Sequence, residues 1–195
     1  MDQEPDRKSF YANSQKAWRD WLAQNHQTED YIWLIIYKKK SKIPSVYYSE
    51  AVDEALCFGW IDSKPNKRDA ESYYQYFAKR NPKSGWSRVN KEKVKRLITT
   101  GKMTQAGRET IEDAKQSGTW TALDKVEALI VPDDLQQAFS RNPKAFQNFE
   151  NFPPSSKKII LEWVYSAIRP ETRKRRIQET VALAKDNVRA NHYRR

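Results

Sequence analysis

Cysteine is nearly absent from this 195-residue sequence. Cys57 stands alone, so no disulfide can close within the chain, and a reducing cytoplasm is its expected setting. Histidine is as scarce: His26 and His192 beside a single cysteine do not make the ligand set of a structural zinc site. Only five glycines speak against a loop-rich all-β fold. No apolar run approaches the roughly 20 residues of a membrane helix; the longest, Tyr31 to Tyr37, covers seven positions. The opening MDQEPDRKSF is acidic and polar and does not read as a signal peptide. Walker, Gly-x-Ser-x-Gly and dinucleotide fingerprints are missing. So are helix-turn-helix, zinc-finger and RNP-type motifs.

What is there is aromatic and basic. Aromatic residues make up 12% of the chain, with seven tryptophans, which argues for an ordered core. The net charge of +11 is unevenly spread. Residues 31–100 hold fifteen basic and seven acidic side chains, and 151–195 hold eleven and four. Residues 1–30 and 101–150 are each slightly acidic. Two basic blocks of this size attract anions, from a small phosphate to nucleic acid or a lipid surface.

The pattern predicts an α+β fold: a small β-sheet with helices in the N-terminal part, then a mostly α-helical C-terminal module. Ser14 caps a helix to about Asn25, with Trp18, Trp21 and Leu22 on one face. Tyr31–Tyr37 reads as a strand with two apolar faces, central and covered on both sides. Ser49 caps a helix that Gly59 stops, and strands follow at 60–63 and 72–78. Helices are predicted at about 88–100, 104–117, 132–140, 143–150, 155–168 and 171–188, punctuated by glycine and proline. The division falls in the acidic stretch 119–131, giving parts 1–126 and 127–195 within one compact unit. The tail 191–195 reads as frayed.

Candidate binding residues concentrate between Gly59 and Asn90. Trp60, Asp62, Ser63, Arg80, Ser84, Trp86, Ser87 and Asn90 bring a carboxylate, hydroxyls, a guanidinium, an amide and two indoles to strand ends and a helix start. Ser87 can cap the next helix, whose free N–H groups favour an anion. Asn90 lies on the stripe of Val94, Leu97 and Ile98, where it either pins the 80–87 loop or meets a ligand. Tyr73, Tyr74, Tyr76, Phe77, Lys79 and Arg80 interleave rings and charges. That text fits nucleobase stacking, and equally a strand alternating core and surface aromatics.

The last predicted helix holds a second misfit. Ile177, Thr180, Val181, Ala184 and Val188 define its inner face, and Arg173 falls inside that face while Arg175 points away. An inward arginine needs a carboxylate, carbonyls or a bound anion. Asp62 and Asp69 are the expected carboxylates; a structural salt bridge and an anion site with Arg176 both fit. Cys57 near a helix C-terminus reads as a packed thiol rather than a nucleophile. His26 reads as a cap on helix carbonyls, with acid–base work as the alternative. Glu109, Glu112 and Asp113 read as a solvated face.

Several blocks together resemble one family. They are Trp21-Leu22 with Asn25-His26, Trp33-Leu34 with Lys38-Lys39, the run Glu54 to Ser63, Arg80 with Ser84 to Ser87 and Asn90, and Gly101 to Thr104 with Gly107. Gly118-Thr119-Trp120, Pro132 to Leu135, and Trp163 with Pro170 to Arg173 and Arg176-Ile177 complete them. Over about residues 14–188 the chain resembles the bacterial YdeI/OmpD-associated, or bacteriocin-protection, proteins. The resemblance implies a cytoplasmic protein linked to stress and to resistance against antimicrobial peptides, with no established reaction. One departure stands out: relatives place Ala-Lys-Arg where this chain has Ala167-Ile168-Arg169.

The sequence therefore predicts a protein that binds a small anionic or aromatic ligand in a basic cleft between the sheet and the C-terminal helices. A nucleic-acid-binding protein using both basic blocks is the alternative, and an enzyme with Asp62 as acid or base is a third. No cofactor, metal or oligomeric state is indicated.

Overall fold

A computed structural model describes residues 7–191, so His192 and the tail beyond it lie outside the described residues. The chain divides into two compact units, meeting at Thr121 and Ala122.

The first unit runs β1 (Ser9–Tyr11), α1 (Gln15–Asn25), β2 (Tyr31–Tyr37), α2 (Tyr48–Cys57), β3 (Trp60–Lys67), β4 (Ser72–Lys79), α3 (Arg88–Thr99) and α4 (Gln105–Gln116). Its four strands are ordered β1-β2-β4-β3. β1 is parallel to β2, and the other two pairings are antiparallel. Ile32, Leu34 and Ile36 share the inner face with Phe77, and Trp18, Leu22, Val52, Leu56, Val94 and Ile111 bring the four helices onto it. Two buried indoles keep their polar ends satisfied: Trp18 Nε1 donates to the Ala51 carbonyl and Trp60 Nε1 to that of His26.

Three expectations change here. β2 is central, but only one of its faces is fully buried; Tyr31 is exposed, while Trp33, Ile35 and Tyr37 are partly exposed. The rings of Tyr31, Trp33 and Tyr37 pack on rings of neighbouring strands, so an apolar pattern on both faces did not require a cover on both. Helix α2 starts two residues earlier than a Ser49 cap implies, because the Glu50 carboxylate accepts the Tyr47 N–H. Strand β3 continues to Lys67 through a bulge between Asp62 and Pro65, where the buried Gln75 amide donates to the Ser63 carbonyl. Gly59 ends the preceding turn at φ +75°, a backbone state that suits glycine.

The second unit is helical: α5 (Asp124–Glu127), α6 (Asp133–Ser140), α7 (Pro143–Glu150), α8 (Pro154–Tyr165) and α9 (Pro170–Lys185). Proline opens α7, α8 and α9, where its missing N–H costs nothing and its fixed φ favours the first turn. Leu135, Phe139, Phe149, Leu161, Val164 and Ile177 form its own core. Asn187 takes φ +58° and ends α9 early, so Val188 leaves the helix and is partly exposed instead of extending the inner face.

Candidate functional site

Arg80 follows the end of β4, its backbone N–H bonded to the Gly59 carbonyl. Its side chain is only 9% exposed, yet among the described residues no carboxylate pairs with it. The guanidinium lies 3.8 Å from the centroid of the Trp86 ring. One nitrogen donates to the Gly85 carbonyl, and Nε has no partner. Burial pushes the group down to about 10, which leaves it charged at neutral pH. It faces a recess of about 70 Å³ lined by Asn81, Pro82, Trp86, Thr110, Asp113 and Ala114.

The neighbouring predicted residues are occupied with the loop itself. Ser84 Oγ donates to the Asn81 carbonyl, and Ser87 Oγ caps α3 by accepting the Asn90 N–H. Asn90 is half-buried rather than enclosed. Trp60 is buried in the core, and Ser63 is exposed beside the bulge. Asp62 accepts a 2.6 Å bond from the Tyr48 hydroxyl, which burial and that carboxylate push above the ordinary tyrosine range.

A groove of the first unit lies beside this loop. Helix α3 sets Lys91, Val94, Lys95 and Ile98 along one stripe, because residues three and four apart share a face. Ile111 and Lys115 of α4 face them, and Trp120 follows the Gly118 turn, held by a bond from its N–H to the Ala114 carbonyl. The groove encloses about 450 Å³, within the range of small-molecule sites. Its floor is Val94, Ile98, Ile111 and Trp120; its rim carries Arg88, Lys91, Lys95 and Lys115 against one carboxylate, Glu92. Trp120 contacts Trp86 at 5.0 Å between centroids, and the Lys91 ammonium sits 5.4 Å from the Trp120 ring. A chain of contacts through Arg80, Trp86 and Trp120, the two indoles tilted at 48°, thus runs from the recess to the groove floor.

Arg173 and Arg176 belong to the second unit and are engaged there. Arg173 pairs with Asp134 in the first turn of α6, not with Asp62 or Asp69. Asp69 instead accepts bonds from Ser72 and from the Glu71 N–H, and it pairs with Arg68. Arg173 also donates to the Val164 carbonyl, and Arg176 to the Trp163 carbonyl and Ser166 Oγ. Two guanidinium groups of α9 therefore close the C-terminus of α8, where orphan carbonyls need donors. Ile168 is 97% exposed in the connecting loop.

Of the remaining candidates, the His26 ring lies 2.9 Å from the Leu22 carbonyl through Nδ1. Cys57 is buried, and burial pushes its thiol up to about 11. Glu109, Glu112 and Asp113 are exposed along α4. Among the described residues no helix is long and apolar enough to cross a membrane.

Sequence reasoning had singled out Arg80 and Trp86 but not Trp120, Lys91, Lys95 or Lys115. The available signal was the stripe Lys91, Val94, Lys95, Ile98, whose isoleucine sits on a cationic face.

Comparison with known families follows the same division of the chain. Residues 10–110 match the family described as a domain of unknown function, DUF8412. Residues 128–187 match the family described as bacteriocin-protection, YdeI or OmpD-associated. The likeness read over 14–188 is thus matched in the second unit, and a separate family covers most of the first. No curated protein and no solved structure matches the chain. With more than half its length inside the first of these families, the chain belongs to the DUF8412 family, and residues 128–187 resemble the YdeI/OmpD-associated one.

Proposed function

We propose that the first unit is a binding module for a small amphipathic anion, an acidic group on an apolar or aromatic body. The observation that carries this reading is the α3–α4 groove, an apolar floor under a rim of four cations and one carboxylate. Trp120 would stack on the body of the ligand while Lys91 and Lys95 hold its acid; Lys115 is already paired with Glu112. Arg80 and Trp86 would act behind Trp120, fixing the plane of its ring. Arg173 and Arg176 drop out of the binding set, because carboxylate and carbonyl partners already occupy them. The Tyr48–Asp62 pair offers one carboxylate and one hydroxyl but no further group in a catalytic role, so binding without chemistry is the stronger reading.

A part in protection against bacteriocins, the word that the second unit's family description carries, would then run through the anion. A chain of net charge +11 repels cationic peptides rather than sequestering them. The single buried thiol suits a cytoplasmic setting.

The test is a fluorescence titration of the full chain with 8-anilinonaphthalene-1-sulfonate. Saturable, blue-shifted emission is expected, weakened about tenfold or more by Trp120→Ala and by Lys91→Gln with Lys95→Gln. The uncharged N-phenyl-1-naphthylamine should bind far more weakly. Equal binding of both dyes, or binding indifferent to Trp120→Ala, sinks the proposal.

A further inference from the structure

The outer face of the sheet carries an aromatic array that the groove does not use. Strand alternation and register place six rings there: Tyr11 on β1, Tyr31, Trp33 and Tyr37 on β2, and Tyr74 and Tyr76 on β4. They form a connected series. Tyr31 stacks on Tyr76 at 5.6 Å with a 20° angle, and Tyr76 meets Trp33 edge-on at 5.0 Å. Trp33 then meets Tyr74 at 6.3 Å, and Tyr37 meets Tyr11 at 5.4 Å. Arg68 joins the two halves, lying over Tyr74 and Tyr37, while Arg7 lies over Trp33 and Tyr74 within one of them. Tyr31 is 42% exposed and Tyr11 38%, and the other four rings are partly open.

Charge accompanies the rings. Lys38, Lys39, Lys40 and Lys42 follow β2 directly after Tyr37, all four exposed. Three carboxylates bordering the face are matched, Glu29 by Lys8, Asp30 by Lys79 and Asp69 by Arg68, and exposed Glu71 stands beside Lys38 at its edge. A row of flat, partly open rings with cations between and beyond them has a specific complement. Its partner is a polymer offering unpaired flat bases at intervals and a phosphate chain beside them.

We infer that the outer sheet face binds single-stranded nucleic acid, with bases stacked on Tyr31, Trp33 and Tyr76 and the backbone running toward the Lys38–Lys42 loop. Single strands are required because a duplex hides the faces of its bases, and stacking on aromatic rings tolerates any sequence. The phosphate contacts make the affinity fall as salt rises. This site is separate from the α3–α4 groove and does not depend on it.

The experiment is fluorescence anisotropy of the full chain with a fluorescein-labelled twelve-nucleotide oligo-dT, beside a twelve-base-pair duplex. The single strand should bind at least about tenfold more tightly than the duplex. Tyr31→Ala and Trp33→Ala should each weaken it roughly five- to a hundredfold. Tyr31 is the safer variant to fold, being the more exposed, and circular dichroism melting confirms that it does. Replacing the four lysines by glutamine should flatten the salt dependence, and Trp120→Ala should leave binding unchanged. Equal affinity for duplex and single strand, or binding that survives both ring variants, overturns the inference in favour of simple polyanion attraction. Absence of binding at tens of micromolar overturns it as well, and concentration-dependent dimerisation abolished by Tyr31→Ala would then assign the face to a second copy of the chain.

Discussion

Arg173 in α9 grips Asp134 at the start of α6 with two nitrogens, Nε at 2.5 Å and Nη2 at 2.9 Å, and gives Nη1 to the Val164 carbonyl at 3.1 Å. One side chain thereby ties together the three helices α6, α8 and α9. The charge also sits well at each contact. Asp134 lies in the first turn of α6, where a carboxylate is favoured, and the cation meets the carbonyl end of α8.

Arg173→Ala should therefore destabilise the second unit without changing dye binding by the first. The pair is partly exposed, so screening limits the loss to about 1–2 kcal/mol. Its pH dependence has a definite sign. The hydrogen bond and charge of Arg173 hold the Asp134 carboxyl below its ordinary 3.8, so the stabilisation is complete above that value. It is lost as pH falls from there through the folded-state value, because the unfolded chain takes up its proton first. Urea unfolding of both proteins at pH 7 and pH 3 checks this. The gap between them should shrink in acid, and a gap that widened would contradict the assignment.

Local patterns made much of the fold readable. The β-former run Tyr31–Tyr37, the proline-opened helices and the Gly59 stop needed only neighbouring residues to be recognised. What stayed hidden depends on partners distant in the chain. Strand β1 is three residues long and exists by pairing with β2, and α5 is a single turn. The inward tilt of Arg173 followed from helical period, but Asp134 lies 39 residues away and nothing local connects them. Likewise Arg80 and Trp86 attracted notice by type, whereas the groove arises where α3, α4 and Trp120 converge. The open aromatic face was concealed for another reason: tyrosine and tryptophan give the same sequence pattern whether covered or exposed.

A second ion pair should show the asymmetry between removing a partner and removing both. Glu54 is 2% exposed and is held by Arg19 and by the Gln15 amide. Arg19→Met leaves that carboxylate buried with one neutral donor and should cost about 2–3 kcal/mol, allowing for the third of Arg19 that is exposed. Glu54→Gln keeps the shape and should cost about 1 kcal/mol. The double variant should be more stable than Arg19→Met alone, which a double-mutant cycle in urea measures. Simple additivity of the two losses would show that the pair is not coupled.

Cys57 should behave as a core residue. Burial raises its thiol to about 11, with Arg19 pulling weakly the other way, so little thiolate exists at pH 8. Ellman's reagent should modify the native protein only as fast as it unfolds, and 6 M guanidinium should make the reaction immediate. The sign for stability follows: above about pH 9 the unfolded thiol ionises first, so stability declines as pH rises from 9 toward 11. Rapid native modification at pH 8 would place the sulfur nearer the surface than it lies here.

Gly107 sets how closely α2 and α4 approach. A Cβ added there would meet the Cys57 carbonyl and the Met103 sulfur, inside any permitted contact. The same carbonyl accepts both the N–H and the hydroxyl of Thr104, the residue that caps α4. Gly107→Ala thus pits two effects against each other. Alanine gains roughly 1 kcal/mol in helix propensity, while overpacking against fixed backbone costs about 1–3 kcal/mol and sometimes more. Backbone cannot swing aside as a flexible side chain would, so the upper end of that cost applies and the net change should be a loss of about 2 kcal/mol. Thermal melting measures the loss, and Ellman reactivity of Cys57 in the same variant should rise because its helix end has been pushed open. A variant as stable as the parent would mean that α2 and α4 can separate freely, and that Gly107 is there for another reason.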